Sequence, residues 1–255
     1  MWKISAPLNL LLNINRSADA LLAEWTRLAV DGDKVVALTV DLSHVSMLKI
    51  TVPVSAFEVF EHDGADVCYN PSELLRQLEA VNRFNGNNPC VTLTFSDRVV
   101  VEADGFTSEA PMLDSVVIPS PRFPALGHTF EFNIDTAGLN GMMKALGLST
   151  GESGGTIGGV RKGRVQEGSF GIVFSIEKGE VAVSIHSQDR KAVRLVIGRS
   201  DGTGRVTLGS DLLKCAIKAM PGGVLTFRGA TDYPAYIKHE SEEMSVEQVI
   251  APRMD

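Results

Sequence analysis

Apolar residues recur along this chain at two spacings, every second residue over short runs and every third or fourth over longer ones, and the two patterns alternate from end to end. The every-second runs come as neighbours joined by tight turns. RLAVDGDKVVALTV sets Asp31-Gly32-Asp33 between two apolar runs, FSIEKGEVAVSI sets Glu177-Lys178-Gly179 there, and VTLTFSDRVVVEA sets Ser96-Asp97. Each reads as a β-hairpin, so antiparallel sheet dominates the expected fold.

Four segments carry helical spacing instead. In NPSELLRQLEAVNRF, Asn70 can cap, Pro71 suits the first helical position, Glu73 favours the first turn, and Leu74, Leu75, Leu78 and Val81 form a buried stripe. SDLLKCAIKAMPGG starts at Ser210 and is stopped by Pro221 and two glycines. Asp135 can cap TAGLNGMMKALG, whose Leu139, Met142, Met143 and Leu146 line one side, although Gly141 weakens it. The segment from Leu8 to Leu22 is apolar on several sides and is the fourth helix.

The order of elements repeats. Each half runs strand, helix, a group of hairpin strands, helix and three strands, with the halves joined near SVVIPSPRFPALGHTF. Pro119, Pro121 and Pro124 favour an extended, semi-rigid connector there. The expected architecture is α+β, with two similar domains over residues 1–113 and 129–255 and a connector over 114–128. Between Gly198 and Arg205 the chain runs short of the pattern, so the second domain is expected to lose a strand.

Bulk composition narrows the class. With 255 residues and 44% apolar content the chain can bury real cores, and it has neither a membrane-length apolar run nor a secretory-type start, so it is expected to work inside the cell. Cys68, Cys90 and Cys215 match no CxxC spacing and read as buried free thiols. The net charge of −7 argues against a surface that grips nucleic acid everywhere, yet allows a local basic face.

The helices carry such a face. Arg76 and Arg83 share one side of their helix with Ala80, Lys214 and Lys218 form an i, i+4 pair of like charges, and Arg16 and Lys144 add one cation to each of the other two. Taken one helix at a time these are solvated side chains; together, on an acidic chain, they point to phosphate. Gly147-Leu148-Ser149-Thr150-Gly151 matches the G-x-S-x-G of serine hydrolases, with Asp201 or Asp232 and His239 in the right chain order. That motif needs a strand before the serine, where this pattern places a helix. GESGGTIGGVRKGR lacks the GK[ST] of a P-loop, and the five histidines are scattered without metal-ligand spacing, so neither cofactor nor metal is expected.

One polar knot needs its own account. VDLSHVSMLKI, positions 40 to 50, interrupts two strand-like runs with Asp41, Ser43 and His44. DLSHVSMLKITVP, the NPSELLRQL helix, Pro111-Met112-Leu113-Asp114, DYPAYIKHE and the terminal VIAPRMD together resemble the DNA sliding clamps of the proliferating cell nuclear antigen (PCNA) family, archaeal members above all. Length and element order agree over almost the whole chain.

The resemblance implies a non-catalytic trimeric ring, pseudo-sixfold, with antiparallel sheets outside and two helices per domain inside around double-stranded DNA. Arg16, Arg76, Arg83, Lys144, Lys214 and Lys218 then face phosphate, and Arg161, Lys162 and Arg164 of the insert 149–167 are expected to supplement the single cation of the first helix. A partner pocket for PIP-box motifs of DNA polymerase, clamp loader, flap endonuclease and ligase would draw on Val40, His44, Val45, Met47, Val117, Ile118, Pro234, Ala251 and Pro252. Asp41 and Ser43 would shape its loop. Ring closure would pair an edge over 108–116, with Ser108, Glu109, Ala110, Met112 and Val116, against an edge over 192–197, with Ala192, Arg194 and Val196. A subunit of a heterotrimeric or checkpoint-type clamp stays open, as does the serine hydrolase using Ser149.

Overall fold

A computed structural model describes residues 1–116, 118, 120–145, 171–186 and 194–254. Arg161, Lys162, Arg164, Ser149, Val117 and Ala192 lie outside these described residues. The first half of the chain runs β1 (Trp2–Pro7), α1 (Leu8–Asp19), β2 (Thr26–Asp31), β3 (Lys34–Val40), β4 (Ser46–Pro53), β5 (Val59–Glu61), β6 (Val67–Tyr69), α2 (Pro71–Asn85), β7 (Cys90–Phe95), β8 (Arg98–Ala103) and β9 (Phe106–Leu113). The second runs β10 (Phe130–Asp135), α3 (Thr136–Ala145), β11 (Gly171–Glu177), β12 (Glu180–His186), β13 (Arg194–Arg199), β14 (Gly204–Gly209), α4 (Ser210–Ala219), β15 (Val224–Gly229), β16 (Ala235–Glu240) and β17 (Ser245–Ile250). The expected repeat is there, and among the described residues the second half has one strand fewer between its helices than the first.

By contact the chain divides into two units. The first comprises Met1–Ala125, Lys218–Pro221 and Ile237–Val249, the second Leu126–Ile217, Gly222–Tyr236 and Ile250–Asp255. In the first unit, which takes in most of β16, the strands lie in the order β16-β17-β4-β3-β2-β6-β9-β8-β7-β1-β5. All the pairings described within it are antiparallel, as the alternating pattern requires. Gly32, at φ +61°, supplies the left-handed residue that lets the Asp31–Lys34 turn close β2 on β3.

Both helices of this unit bury one face. Asn70 caps α2 by accepting the Glu73 N–H at 3.0 Å, Pro71 occupies the first position, and Leu74, Leu78 and Val81 are buried. Leu75, expected in that stripe, is only half-buried at the stripe's margin. α1 stops at Asp19 rather than at Leu22, because the chain turns after Ala20 and Leu22 adopts φ 54°. Its many apolar positions are explained by burial of Leu8, Leu10, Leu11, Leu12, Ile14 and Ala18. The core keeps a cavity of about 30 Å³ between α1, α2 and the strands, lined by Leu11, Ile14, Asn15, Leu74 and Tyr69 among others.

The second unit contains the β10–β15 pair and a four-stranded sheet in the order β13-β12-β11-β14. Phe132, Phe174 and Phe227 stack at its centre, with ring centroids 4.6 Å apart for Phe174 and Phe227. Asp135 caps α3 by accepting from Gly138 N–H. Gly229 is required by packing: a Cβ there would lie 2.3 Å from Cζ of Phe130.

Candidate functional site

The polar knot forms the loop between β3 and β4, and its geometry begins with one carboxylate. Asp41 is buried, and its Oδ1 accepts the N–H of Val45 at 2.8 Å and of Ser46 at 2.7 Å while Oδ2 accepts that of Ser43 at 3.2 Å. Its backbone closes the same loop, donating to Ser46 O and accepting from His44 N–H, each at 3.0 Å. A short acceptor two to five residues ahead of these amides replaces the ladder bonds the strands give up here.

The result is a rigid presentation of side chains. His44 is held at φ 56°, in the left-handed region, with its imidazole exposed. Val40, Val45 and Met47 are half-buried beside it in sequence, an apolar group open to solvent on one side. Ser46 fastens the loop's exit to β17 by donating to Val249 O at 3.2 Å and accepting from Gln248 Nε2 at 2.8 Å.

Two cations tie the connector to this same unit. Arg27, on β2 with a side chain only 14% exposed, donates from Nη1 to Ile118 O at 2.9 Å and Ser115 O at 3.2 Å, and from Nε to Asp66 at 2.7 Å. Lys49, on β4, lies over the Phe123 ring at 5.6 Å and pairs with Glu247 at 3.0 Å. Ile118 is thus fixed by its carbonyl, half-buried. The sequence pattern does not single out Arg27; its one signal is a charge inside an alternating strand.

The remaining residues expected in the pocket belong to the second unit. Pro234, Ala251 and Pro252 are half-buried there, and the tail is held by Arg253 N–H donating to Thr207 O at 2.8 Å. The same unit has a polar cleft of about 540 Å³ lined by Leu126, His128, Thr129, Glu131, Ser200 and Arg228 among others, unforeseen from sequence. Arg228 pairs with Glu131 at 2.5 Å and lies over Tyr236 at 5.5 Å. Burial, and then the charge of Arg228, hold the His128 imidazole below its ordinary value of 6.5, against a hydrogen bond to the Pro234 backbone.

The helix cations divide into two kinds. Arg16 pairs with Glu79 at 3.8 Å, Arg76 with Glu73, and Lys214 with Asp211 at 3.8 Å, so three of the six carry a carboxylate with them. Arg83, Lys144 and Lys218 are exposed and make no ion pair among the described residues. The Arg16–Glu79 pair joins α1 to α2 in the first unit.

The expected subunit edges fall on β9 and, where described, on β13. β9 ends at Leu113, so Val116, 90% exposed, lies in the turn beyond it, where Asp114 accepts its N–H at 2.9 Å. Ser108, Glu109 and Met112 are on the strand, but Ala110 is buried and faces the core. β13, described over Arg194–Arg199, lies at one end of its sheet, with Arg194 and Val196 exposed.

Two further expectations change. Of the three cysteines expected to be buried, only Cys68 is; Cys90 opens β7 on its solvent side, and Cys215 is intermediate. Burial pushes the Cys68 thiol up to about 11, which makes it a poor nucleophile. His239 is buried on β16 with Nδ1 unpartnered, so among the described residues no carboxylate orients it as a hydrolase triad requires.

No family model and no curated protein matches this chain by sequence. Solved structures do. A PCNA from A. fulgidus, solved with the C-terminal region of FEN-1, superposes at a TM-score of 0.80 with 18% identity, over 100% of this chain and 99% of that one. PCNA from Thermococcus kodakaraensis gives 0.76 at 16% identity over 99% and 100%, and the Sulfolobus tokodaii PCNA2–PCNA3 complex gives 0.74 at 16% over 98% and 99%. The chain has the PCNA fold. The resemblance read from DLSHVSMLKITVP and VIAPRMD is borne out at that level, over the full length.

Proposed function

We propose that this protein is a DNA sliding clamp, a ring of copies that encircles double-stranded DNA and tethers DNA enzymes to it. The observation that carries this reading is the full-length PCNA fold on a chain whose four helices all present cations. The exposed cations of α1 to α4, with Arg161, Lys162 and Arg164 added from the insert, contact phosphate without reading bases. Half of the six helix cations already hold a carboxylate, which keeps the grip weak and lets the ring slide, so closure rather than affinity retains it. Copies join head to tail, the β9 edge of one against β13 of the next, a heterologous contact that closes only as a ring.

Partner enzymes dock on the loop that Asp41 braces. A short PIP-box helical turn with apolar anchors fits beside Val40, His44, Val45, Met47 and the fixed Ile118. The A. fulgidus PCNA was solved with a FEN-1 C-terminal region, which supports a flap endonuclease as one such partner here, alongside polymerase, ligase and loader. The test is the mass of the purified protein together with retention on circular DNA and loss on linearisation. Equal loss from both DNAs ends the reading; a monomer ends its homomeric form. The PCNA2–PCNA3 complex from Sulfolobus tokodaii favours one variant, a subunit of a heteromeric ring. It predicts that the chain alone stays smaller than a trimer and completes a ring only with a second protein.

A further inference from the structure

The β9 strand carries an open edge with one of its outward groups already occupied from inside the chain. The β8–β9 hairpin turns through Asp104-Gly105, with Ala103 opposite Phe106 and Val99 opposite Ala110. A two-residue turn makes its closing pair a hydrogen-bonded one, so Phe106, Ser108 and Ala110 point their backbone groups at β8, while Thr107, Glu109 and Pro111 point theirs outward. β6 meets that outer side only at Met112 and Leu113, which leaves it open from Thr107 to Pro111. Pro111 has no N–H to expose there, a device of edge strands.

The exposed carbonyl of Glu109 is not left to water. Gln77, on α2, donates to it from Nε2 at 2.7 Å, and the Ser108 hydroxyl donates to the same amide's Oε1. The side-chain amide thus offers Glu109 what the N–H of an added strand would offer. The charges beside the two edges also match: Glu109 on β9 and Asp114 just past its end are exposed, as are Arg194 and Arg199 on β13. The Glu109–Arg98 and Arg194–Glu180 pairs, at 3.1 and 3.7 Å, are solvent-exposed and cheap to exchange.

We propose that Gln77 is a detachable stand-in for a neighbouring copy's strand: it covers the Glu109 carbonyl in the separate chain and is displaced when β13 of a second copy pairs with β9. This rests on the ring reading above. Gln77 then competes with assembly, and its removal favours the assembled state because only the separate chain loses a hydrogen bond.

The experiment compares the dilution at which the parent, Gln77→Ala and Ser108→Ala proteins dissociate, by sedimentation or mass photometry, with thermal unfolding to confirm that each folds. Gln77→Ala is expected to tighten each interface by roughly threefold to tenfold, the scale of one hydrogen bond, and Ser108→Ala to shift it the same way by less. Should Gln77→Ala not fold, Ser108→Ala carries the same test. If the parent assembles but the variants dissociate at the same or a higher concentration, Gln77 holds β9 ready for its partner and the stand-in is overturned while the ring survives. A parent that never assembles overturns both the stand-in and the ring of identical copies.

Discussion

The Asp41 carboxylate accepts the Ser46 backbone N–H at 2.7 Å, a bond across five residues that closes the β3–β4 loop on itself. The same oxygen takes the Val45 amide, so one carboxylate oxygen satisfies two donors beside a buried strand start. Asp41→Ala leaves both without an acceptor and is expected to cost about 2–3 kcal/mol, seen as a lower midpoint in denaturant titration. The loop change also removes the seat for a partner. Fluorescence titration with a PIP-box peptide should therefore show weaker binding for Asp41→Ala and for His44→Ala, the latter by about 1–2 kcal/mol at unchanged stability. His44→Gly should gain a few tenths to about 1 kcal/mol of stability, since only glycine is at ease at φ 56°. Equal peptide affinity for His44→Ala and parent would return His44 to a mere turn residue.

Much of this loop is legible in the amino-acid order alone. Asp41 and Ser43 stand as short polar residues between two alternating runs, and local chemistry of that kind depends on neighbours the sequence displays. The same holds for Asn70 and Pro71 at the start of α2 and for Gly32 between β2 and β3. What stays hidden depends on partners far along the chain. Arg27 reaches the carbonyl of Ile118, 91 residues away, and nothing near either residue announces the pairing. The exposure of Cys90 turns on which residue begins β7, a boundary that periodicity sets only to within a residue or two.

The two kinds of helix cation should separate in a salt titration. A cation that neutralises a phosphate releases counterions, so replacing Arg83, Lys144 or Lys218 by alanine should lower the slope of log affinity against log salt by about 0.9 for each phosphate no longer neutralised. Arg16→Ala, Arg76→Ala and Lys214→Ala should change it less, because in the parent each of these cations is already offset by Glu79, Glu73 or Asp211 and neutralises less phosphate. Binding of the loaded clamp to nicked circular DNA across a salt series measures both sets. Equal slopes for all six would remove the distinction.

Asn15 tests the cost of a polar group in the first unit's core. It is 1% exposed, its Nδ2 donates back to Leu11 O at 2.8 Å, and its Oδ1 is buried without a partner in a residue that lines the 30 Å³ cavity. Asn15→Leu removes the orphaned oxygen and adds apolar atoms where space exists, while Leu11 O keeps its place in the helix. The expected gain is about 1 kcal/mol, or roughly 2–4 °C in thermal midpoint by calorimetry. A loss would mean that the oxygen has a bound water.

His128 sets a pH dependence whose sign follows from its surroundings. Burial and the Arg228 guanidinium disfavour the imidazolium in the folded unit, while the Pro234 backbone and Glu131 favour it less strongly, so the folded value lies below the unfolded 6.5. The unfolded chain then binds the extra proton between those two values. Stability is full above about 6.5, falls as pH drops towards the folded value, and levels off below it. Thermal unfolding followed from about pH 8 to pH 5 should show this loss, and His128→Asn should flatten it while leaving the midpoint at pH 8 close to the parent's. The Arg228–Glu131 pair faces the same ring, so Arg228→Gln should flatten the profile in part by removing the repulsion alone. A profile that keeps its full slope in His128→Asn would assign the acid sensitivity to carboxylates elsewhere in the fold.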